Sequence, residues 1–293
     1  MHSRPHPVID CHVHVFDPLR FAYRDDAFYR PAGGEIATAA QLGQVLDAHD
    51  VANALIVAPN SGYGLDNRCL LDAIAAGAGR YKGVAMVRND ASRGELQDLQ
   101  GQGIVGIACN VALLGVDFYR DLGPLLERLR DLGMWAQMQV QHDELVPLRA
   151  MLEGSGAPLL FDHCGRPDPT RGIDQPGFAA LLALAGNGRT AVKLSSLVKL
   201  SAQAHPHADA WPFVRALVQA FTPQSLVWAS DWPFLRAPAR IDYGPLLALF
   251  ERLLPDAQAR RAVLWDTPRR LFGFDQSAGR AWRHRGGKLP DAG

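Results

Sequence analysis

Eight short apolar runs, most of them followed by a stretch with helical spacing, constrain this chain more than any other feature. They are "VIDCHVHVF" from Val8, "NALIVAP" from Asn53, "KGVAMVR" from Lys82 and "GIVGIACNV" from Gly103, then "WAQMQV" from Trp135, "PLLFDHCG" from Pro158, "AVKLSS" from Ala191 and "SLVWASDWP" from Ser225. Between most of them lie segments such as "TAAQLGQVLDAHD", "LGPLLERLRDLG" and "WPFVRALVQAF", which carry apolar residues at helical spacing and often end near Gly. Eight strands alternating with helices is the count that closes a (β/α)8 TIM barrel. An open doubly wound sheet fits less well, because no Gly-rich phosphate loop follows the first strand. Residues 1–293 are therefore read as one TIM-barrel domain, with the barrel over about 8–274 and a polar, Gly-rich tail, 275–293, expected to be mobile.

Composition narrows the partners. The chain has 293 residues, 48% hydrophobic and 20% charged, enough for a large core. Lys+Arg and Asp+Glu both number 30, so neither nucleic acid nor a membrane surface is expected as a partner. The start "MHSRPHP" has no apolar signal region, and no apolar run reaches membrane-spanning length. Cys11, Cys69, Cys109 and Cys164 are scattered without a CxxC pair and are expected to be reduced packing residues of a cytoplasmic protein. The segment from Asp17 to Gly34 is long and aromatic (Phe21, Tyr23, Phe28, Tyr29), and loops of that length are often functional.

Candidate chemistry gathers at strand ends. Alternation in the first strand puts His12 and His14 on one face with Asp10, and Cys11, Val13 and Val15 on the other. Two buried imidazoles need polar partners, so this pattern is poorly explained by packing. His163 ends the sixth strand in "FDHCGRPD", Asp231 ends the eighth in "WASDWP", and Lys193 and Ser195 share a face near the end of the seventh. Singly, each has a plain structural reading: Asp162 as an outward salt-bridged residue, Lys193 as a solvated one, Asp231 as a cap. Their shared place at the C-terminal strand ends, where barrel enzymes keep their active sites, points to a site.

HxH in the first strand, His in the sixth and Asp in the eighth resemble the amidohydrolase superfamily. The strings "IDCHVHVF", "DHCGRPD" and "ASDWP" are similar, over roughly Val8 to Phe274, to its 2-pyrone-4,6-dicarboxylate lactonase-like (amidohydrolase 2) branch, which includes sugar-acid lactonases and a sulfomuconolactone hydrolase. The resemblance implies an amidohydrolase-like TIM barrel that opens a lactone of a small sugar-acid or aromatic-catabolism carboxylate. Carried over, Asp231 is the general base on water, and His12, His14 and His163 polarise the carbonyl or orient the reactants. The branch has metal-free and zinc-using members, so the cofactor is none or one Zn, held by His12, His14 and Asp231. A binuclear site is not expected. "GIACNV" lacks a bridging Lys or Glu, and "WAQMQV" lacks a His, His142 coming slightly later.

Against the dicarboxylate pattern, Ala108 and Leu114 stand where arginines are expected, and Lys199 keeps a third cationic position without the guanidinium fork. The substrate is thus expected to carry one carboxylate or to bind through hydroxyls. Tyr29, Asn60 and Ser61 are the expected polar contacts, with Lys193, Lys199, Arg166 and Arg236 supplying charge. The competing readings are a zinc-dependent decarboxylase of the same superfamily and a non-catalytic sugar-acid-binding barrel. "GRPD" and the string around Asp231 favour the lactonase.

Overall fold

The computed structural model describes residues 6–274; the tail expected to be mobile, 275–293, lies outside the described residues. The strands are β1 (Val8–Val13), β2 (Val51–Val57), β3 (Tyr81–Ala85), β4 (Ile104–Asn110), β5 (Trp135–Gln139), β6 (Leu159–Phe161), β7 (Thr190–Leu194) and β8 (Leu226–Trp228). They form one sheet in sequence order, and every neighbouring pair is parallel. Beyond β8 the chain returns to β1. Val13 pairs in parallel with Trp232, His14 N donates to Trp232 O at 2.9 Å, and Asp231 N donates to His12 O at 2.9 Å. The sheet thereby closes as a (β/α)8 barrel.

The helices are α1 (Ala39–Ala48), α2 (Arg68–Ala76), α3 (Arg93–Gly101), α4 (Val111–Leu114), α5 (Gly123–Leu132), α6 (Leu145–Ser155), α7 (Pro176–Leu182), α8 (Leu197–Leu200), α9 (Trp211–Phe221), α10 (Tyr243–Leu253), α11 (Ala257–Arg261) and α12 (Thr267–Phe272). Local chemistry explains their limits. Thr38 and Gln41 form a capping box at the start of α1. α5 has Pro124 in its first turn and stops at Gly133, whose φ of 64° suits glycine. Its Leu125, Leu126 and Leu129 form the stripe that packs on the sheet. Strand residues divide between two apolar layers: Ile9, Leu55, Val57, Val84, Leu160 and Val227 fill the barrel, while Val8, Ile56, Phe161, Val192 and Trp228 face the helices. All four cysteines are buried and unpaired. Among the described residues, no helix is long and apolar enough to cross a membrane.

β1 breaks the strict alternation expected of it. Its register against β2 shifts between Asp10 and Val13, the signature of a bulge. Cys11 packs with Ile9 inside the barrel, and Asp10 turns to the helix layer instead of sharing the histidine face. There Asp10 Oδ1 accepts from Ser230 N at 3.0 Å and His12 N at 3.2 Å, and Oδ2 accepts from the Tyr243 hydroxyl of α10 at 2.7 Å. Burial pushes this carboxyl up to about 6, against the hydrogen bonds from Ser230 and Tyr243. One buried side chain thus ties β1, the end of β8 and α10 together. Asp10→Ala removes all three bonds. At about 1.5–3 kcal/mol for a hydrogen bond to a charged group, it should cost about 3 kcal/mol or more. Thermal unfolding followed by circular dichroism should show a midpoint lower by about 5 °C or more; an unchanged midpoint would contradict this role.

Candidate active site

The floor of the site is a polar layer inside the barrel. Lys193 of β7 is fully buried, with its Nζ 3.0 Å from Asp162 Oδ1, 2.6 Å from Gln137 Oε1 and 3.1 Å from His12 Nδ1. Gln137 of β5 completes the ring by donating Nε2–H to Asp162 Oδ2 at 2.9 Å. Asp162, just past β6, is 3.2 Å from His12 Nδ1. Neither the outward reading of Asp162 nor the solvated reading of Lys193 holds, since both side chains point into the barrel and pair there. Burial would raise the Asp162 carboxyl, but the Lys193 ammonium and His12 outweigh it and hold the group well below the usual carboxylate range.

Above this layer stand the imidazoles and Asp231. His14 Nδ1 lies 2.8 Å from the Val57 carbonyl oxygen. A carbonyl only accepts, so this nitrogen carries a proton, and in the neutral ring Nε2 presents a lone pair. His12 Nε2 is 3.3 Å from His14 Nε2. Burial and the Lys193 charge push His12 down to about 3, against Asp162, so its ring is neutral near neutral pH. His163 Nδ1 is 2.9 Å from Ser195 Oγ, and burial pushes this ring down to about 4 against the pull of Asp231 and Asp162.

The two oxygens of Asp231 differ. Oδ2 accepts from Ser196 Oγ at 2.6 Å and from Lys199 Nζ at 2.6 Å. Oδ1 faces three imidazole Nε2 atoms, at 3.9 Å for His12, 3.6 Å for His14 and 4.0 Å for His163. Burial raises this carboxyl too, but the Lys199 ammonium leads the groups that hold it well below its ordinary value. Left-handed backbone conformations aim several of these groups. φ is 51° at His163, 45° at Arg166, 55° at Ser196 and 65° at Asp231. Such conformations cost about 1–3 kcal/mol each for residues other than glycine, and they cluster at functional sites.

A cavity of about 760 Å³ opens above these groups, the size of a small-molecule site. Of the expected contacts, Asn60, Ser61, Arg166, Lys199 and Arg236 line it. Asn60 Oδ1 accepts from Asn110 Nδ2 at 2.8 Å. Arg166 is half-buried, and burial with nearby Asp231, Glu144 and Asp162 describes its surroundings; its guanidinium makes no hydrogen bond to the described residues. Lys193 lies beneath the cavity rather than on its wall. Tyr29 is not on the wall either: its hydroxyl donates to the Glu35 carboxylate, and the Arg236 guanidinium lies 5.5 Å from its ring centroid. The neighbouring Phe28 lines the mouth in its place. Sequence reasoning passed over Ser196 and Gln137. Gln137 was signalled by its period-two place with Trp135 and Gln139 in "WAQMQV".

Among the described residues, two groups of side chains could hold a metal ion: His12 with His14 and Asp231, and His12 with Asp162 and His163. In the second, both Asp162 oxygens already serve Lys193 and Gln137. The first fits better. Tetrahedral Zn²⁺ with bonds of about 2.0–2.1 Å places its ligands roughly 3.3 Å apart, close to the 3.3, 3.6 and 3.9 Å among His12 Nε2, His14 Nε2 and Asp231 Oδ1. The Val57 carbonyl behind His14 and Asp162 behind His12 are outer partners of the kind that orient ligating histidines.

Residues 9–274 match the amidohydrolase family. The chain is 31% identical to the 4-sulfomuconolactone hydrolase of Rhizobium radiobacter, over 90% of this chain and 89% of that protein. It is 28% identical to the 2-pyrone-4,6-dicarboxylate hydrolase of Comamonas testosteroni, over 92% and 90%. Among solved structures, a Pseudomonas putida protein proposed to be a 2-pyrone-4,6-dicarboxylic acid hydrolase superimposes with a TM-score of 0.79 at 33% identity, covering 92% of this chain and 98% of that one. A zinc-bound amidohydrolase from Burkholderia multivorans shares the fold, with a TM-score of 0.76 at 21% identity over 92% and 100%.

The Lys199 contact makes a direct prediction. Lys199→Met removes the leading charge that depresses Asp231, so the Asp231 carboxyl should titrate at a higher pH than in the wild type. A ¹³C NMR titration of the side-chain carboxyl reads this. An unchanged midpoint would contradict the leading role of Lys199.

Proposed function

Because the chain belongs to the amidohydrolase family, we propose that it hydrolyses a lactone carrying one carboxylate, with Asp231 as general base. The observation that carries this reading is the split role of the Asp231 oxygens. Oδ2 is pinned by Ser196 and Lys199, and Oδ1 is turned to the cavity floor among the Nε2 atoms of three imidazoles. A water on Oδ1 gives its proton to the carboxylate as its oxygen attacks the lactone carbonyl. His163, oriented by Ser195, stabilises the developing oxyanion through Nε2. Collapse breaks the ring C–O bond, and the proton held on Asp231 passes to the leaving oxygen. The product is the open hydroxy acid, and Asp231 is again ionised. His12, His14 and Asp231 are the residues that would hold a single Zn²⁺. Bound there, it would supply Lewis acidity and lower the pKa of its water.

Charge supports one carboxylate on the substrate. Lys193 pairs with Asp162 and Lys199 with Asp231, which leaves Arg166 as the guanidinium at depth whose N–H donors a substrate carboxylate can engage. Ala108, Asn110, Gln139 and Gln141 line another part of the cavity and carry no charge. Amides and backbone there suit hydroxyls rather than a second anion.

A panel of lactones with no, one and two carboxylates tests this, with acid release followed by a pH indicator and carbon dioxide measured in parallel. kcat/KM should be highest with one carboxylate. It should fall about ten- to a hundredfold for 2-pyrone-4,6-dicarboxylate, the equivalent of one charged hydrogen bond. On the best lactone, Asp231→Asn should lose about 100- to 10,000-fold in kcat while remaining folded, with metal content measured for both proteins. Carbon dioxide without acid release would overturn the lactone reading, and a near-wild-type Asp231→Asn enzyme would overturn the role of Asp231.

A further inference from the structure

We propose that Lys193 is a positioning residue that selects between two tautomers of His12, one wired for a metal-free hydrogen-bond chain and the other for a metal ion. The inference stands on the metal fit described above and not on the lactone reading, so the two can fail separately.

His12 Nδ1 has a donor and an acceptor at nearly equal range. Lys193 Nζ is 3.1 Å away, and Asp162 Oδ1 is 3.2 Å away. Lys193 spends two of its N–H groups on Gln137 Oε1 and Asp162 Oδ1, and the third is directed by the same geometry at His12. On the far side of the ring, His12 Nε2 meets His14 Nε2 at 3.3 Å. The His14 nitrogen is a fixed acceptor there, because its other nitrogen donates to the Val57 carbonyl.

These constraints leave two consistent patterns. In the first, Lys193 donates to His12 Nδ1, His12 Nε2–H donates to His14 Nε2, and His14 Nδ1–H donates to Val57 O. Every proton has an acceptor and no ion is needed. In the second, His12 Nδ1–H donates to Asp162 Oδ1, and two bare Nε2 lone pairs face each other beside Asp231 Oδ1. That arrangement is repulsive when empty and complete when a cation sits among the three atoms. The change moves one proton from Nε2 to Nδ1, with no net change in protonation. Lys193 keeps its bonds to Gln137 and Asp162 in both patterns, so it gives up one contact rather than its place. By favouring the first pattern it opposes metal binding, and by stepping aside it permits it.

The tautomer is visible by NMR. Protein labelled with ¹⁵N-histidine and stripped of metal should show His12 with Nδ1 unprotonated and Nε2 protonated in long-range ¹H–¹⁵N correlations. The His12 signals are assigned by comparison with His12→Asn. One equivalent of Zn²⁺ should convert His12 to the Nδ1–H form. Lys193→Met should show the Nδ1–H form before any metal is added, and it should bind Zn²⁺ about tenfold more tightly in chelator competition. Removing a positive charge also raises cation affinity whatever the tautomer, so the metal-free spectrum and not the affinity reports the tautomer. Should Lys193→Met fail to fold, the wild-type spectra with and without Zn²⁺ still decide. A wild-type His12 that is already Nδ1–H without metal, or one that keeps a single tautomer through the Zn²⁺ titration, overturns the proposal.

Discussion

Closure of the barrel between β1 and the segment after β8 is the constraint on which the site depends. The two backbone hydrogen bonds that make this seam join Asp231 to His12 and His14 to Trp232. Three of those four residues carry side chains of the site. A slip of one residue in this pairing would turn the histidines to the opposite face, so folding the barrel and assembling the site are one event. Asp10 reinforces the seam from the helix side and holds the bulge that turns His12 inward. The left-handed residues Ser196 and Asp231 are kept in place by bonding to each other, and His163 by Ser195.

Charge is distributed in layers. Beneath the imidazoles Lys193 balances Asp162, and beside them Lys199 balances Asp231, while burial keeps His12 and His163 neutral. The linked stability effects have opposite signs. Asp162 and Asp231 are depressed in the folded protein, so their contribution is present above the ordinary carboxyl range and is lost as pH falls through it. Asp10 is raised from 3.8 to about 6, so the folded state binds the extra proton in that window and stability falls as pH rises through it. Asp231 therefore stays ionised at neutral pH, with the Arg166 guanidinium nearby.

Much of this was legible in the sequence. The alternation of strand and helix periods specifies the barrel, because side-chain direction repeats at 2 in one element and at about 3.6 in the other. His12, His14, His163 and Asp231 stood out as polar residues at the ends of apolar strands, and the structure brings them to one cavity. What was hidden depends on contacts between distant strands or on backbone irregularity. The bulge in β1 reverses Asp10, and no pattern of alternation announces it. Lys193 and Gln137 lie 56 residues apart, and their bond exists only once the barrel sets β5 and β7 on either side of β6. Ser196 differs from its neighbour Ser195 by a left-handed turn that sends one hydroxyl to Asp231 and the other to His163. Tyr29 read as a contact because it is polar and aromatic in a long loop, but Glu35, six residues on, takes its hydroxyl.

The central claim is that water held on Asp231 attacks the acyl carbon of a lactone. Turnover in H₂¹⁸O on the preferred lactone, followed by mass spectrometry of the product, tests it most directly. Acyl attack places one ¹⁸O in the newly formed carboxylate and none in the released hydroxyl. Label found in the hydroxyl oxygen would mean that water attacks the alkyl carbon instead, and it would contradict the arrangement of base and oxyanion donors described here.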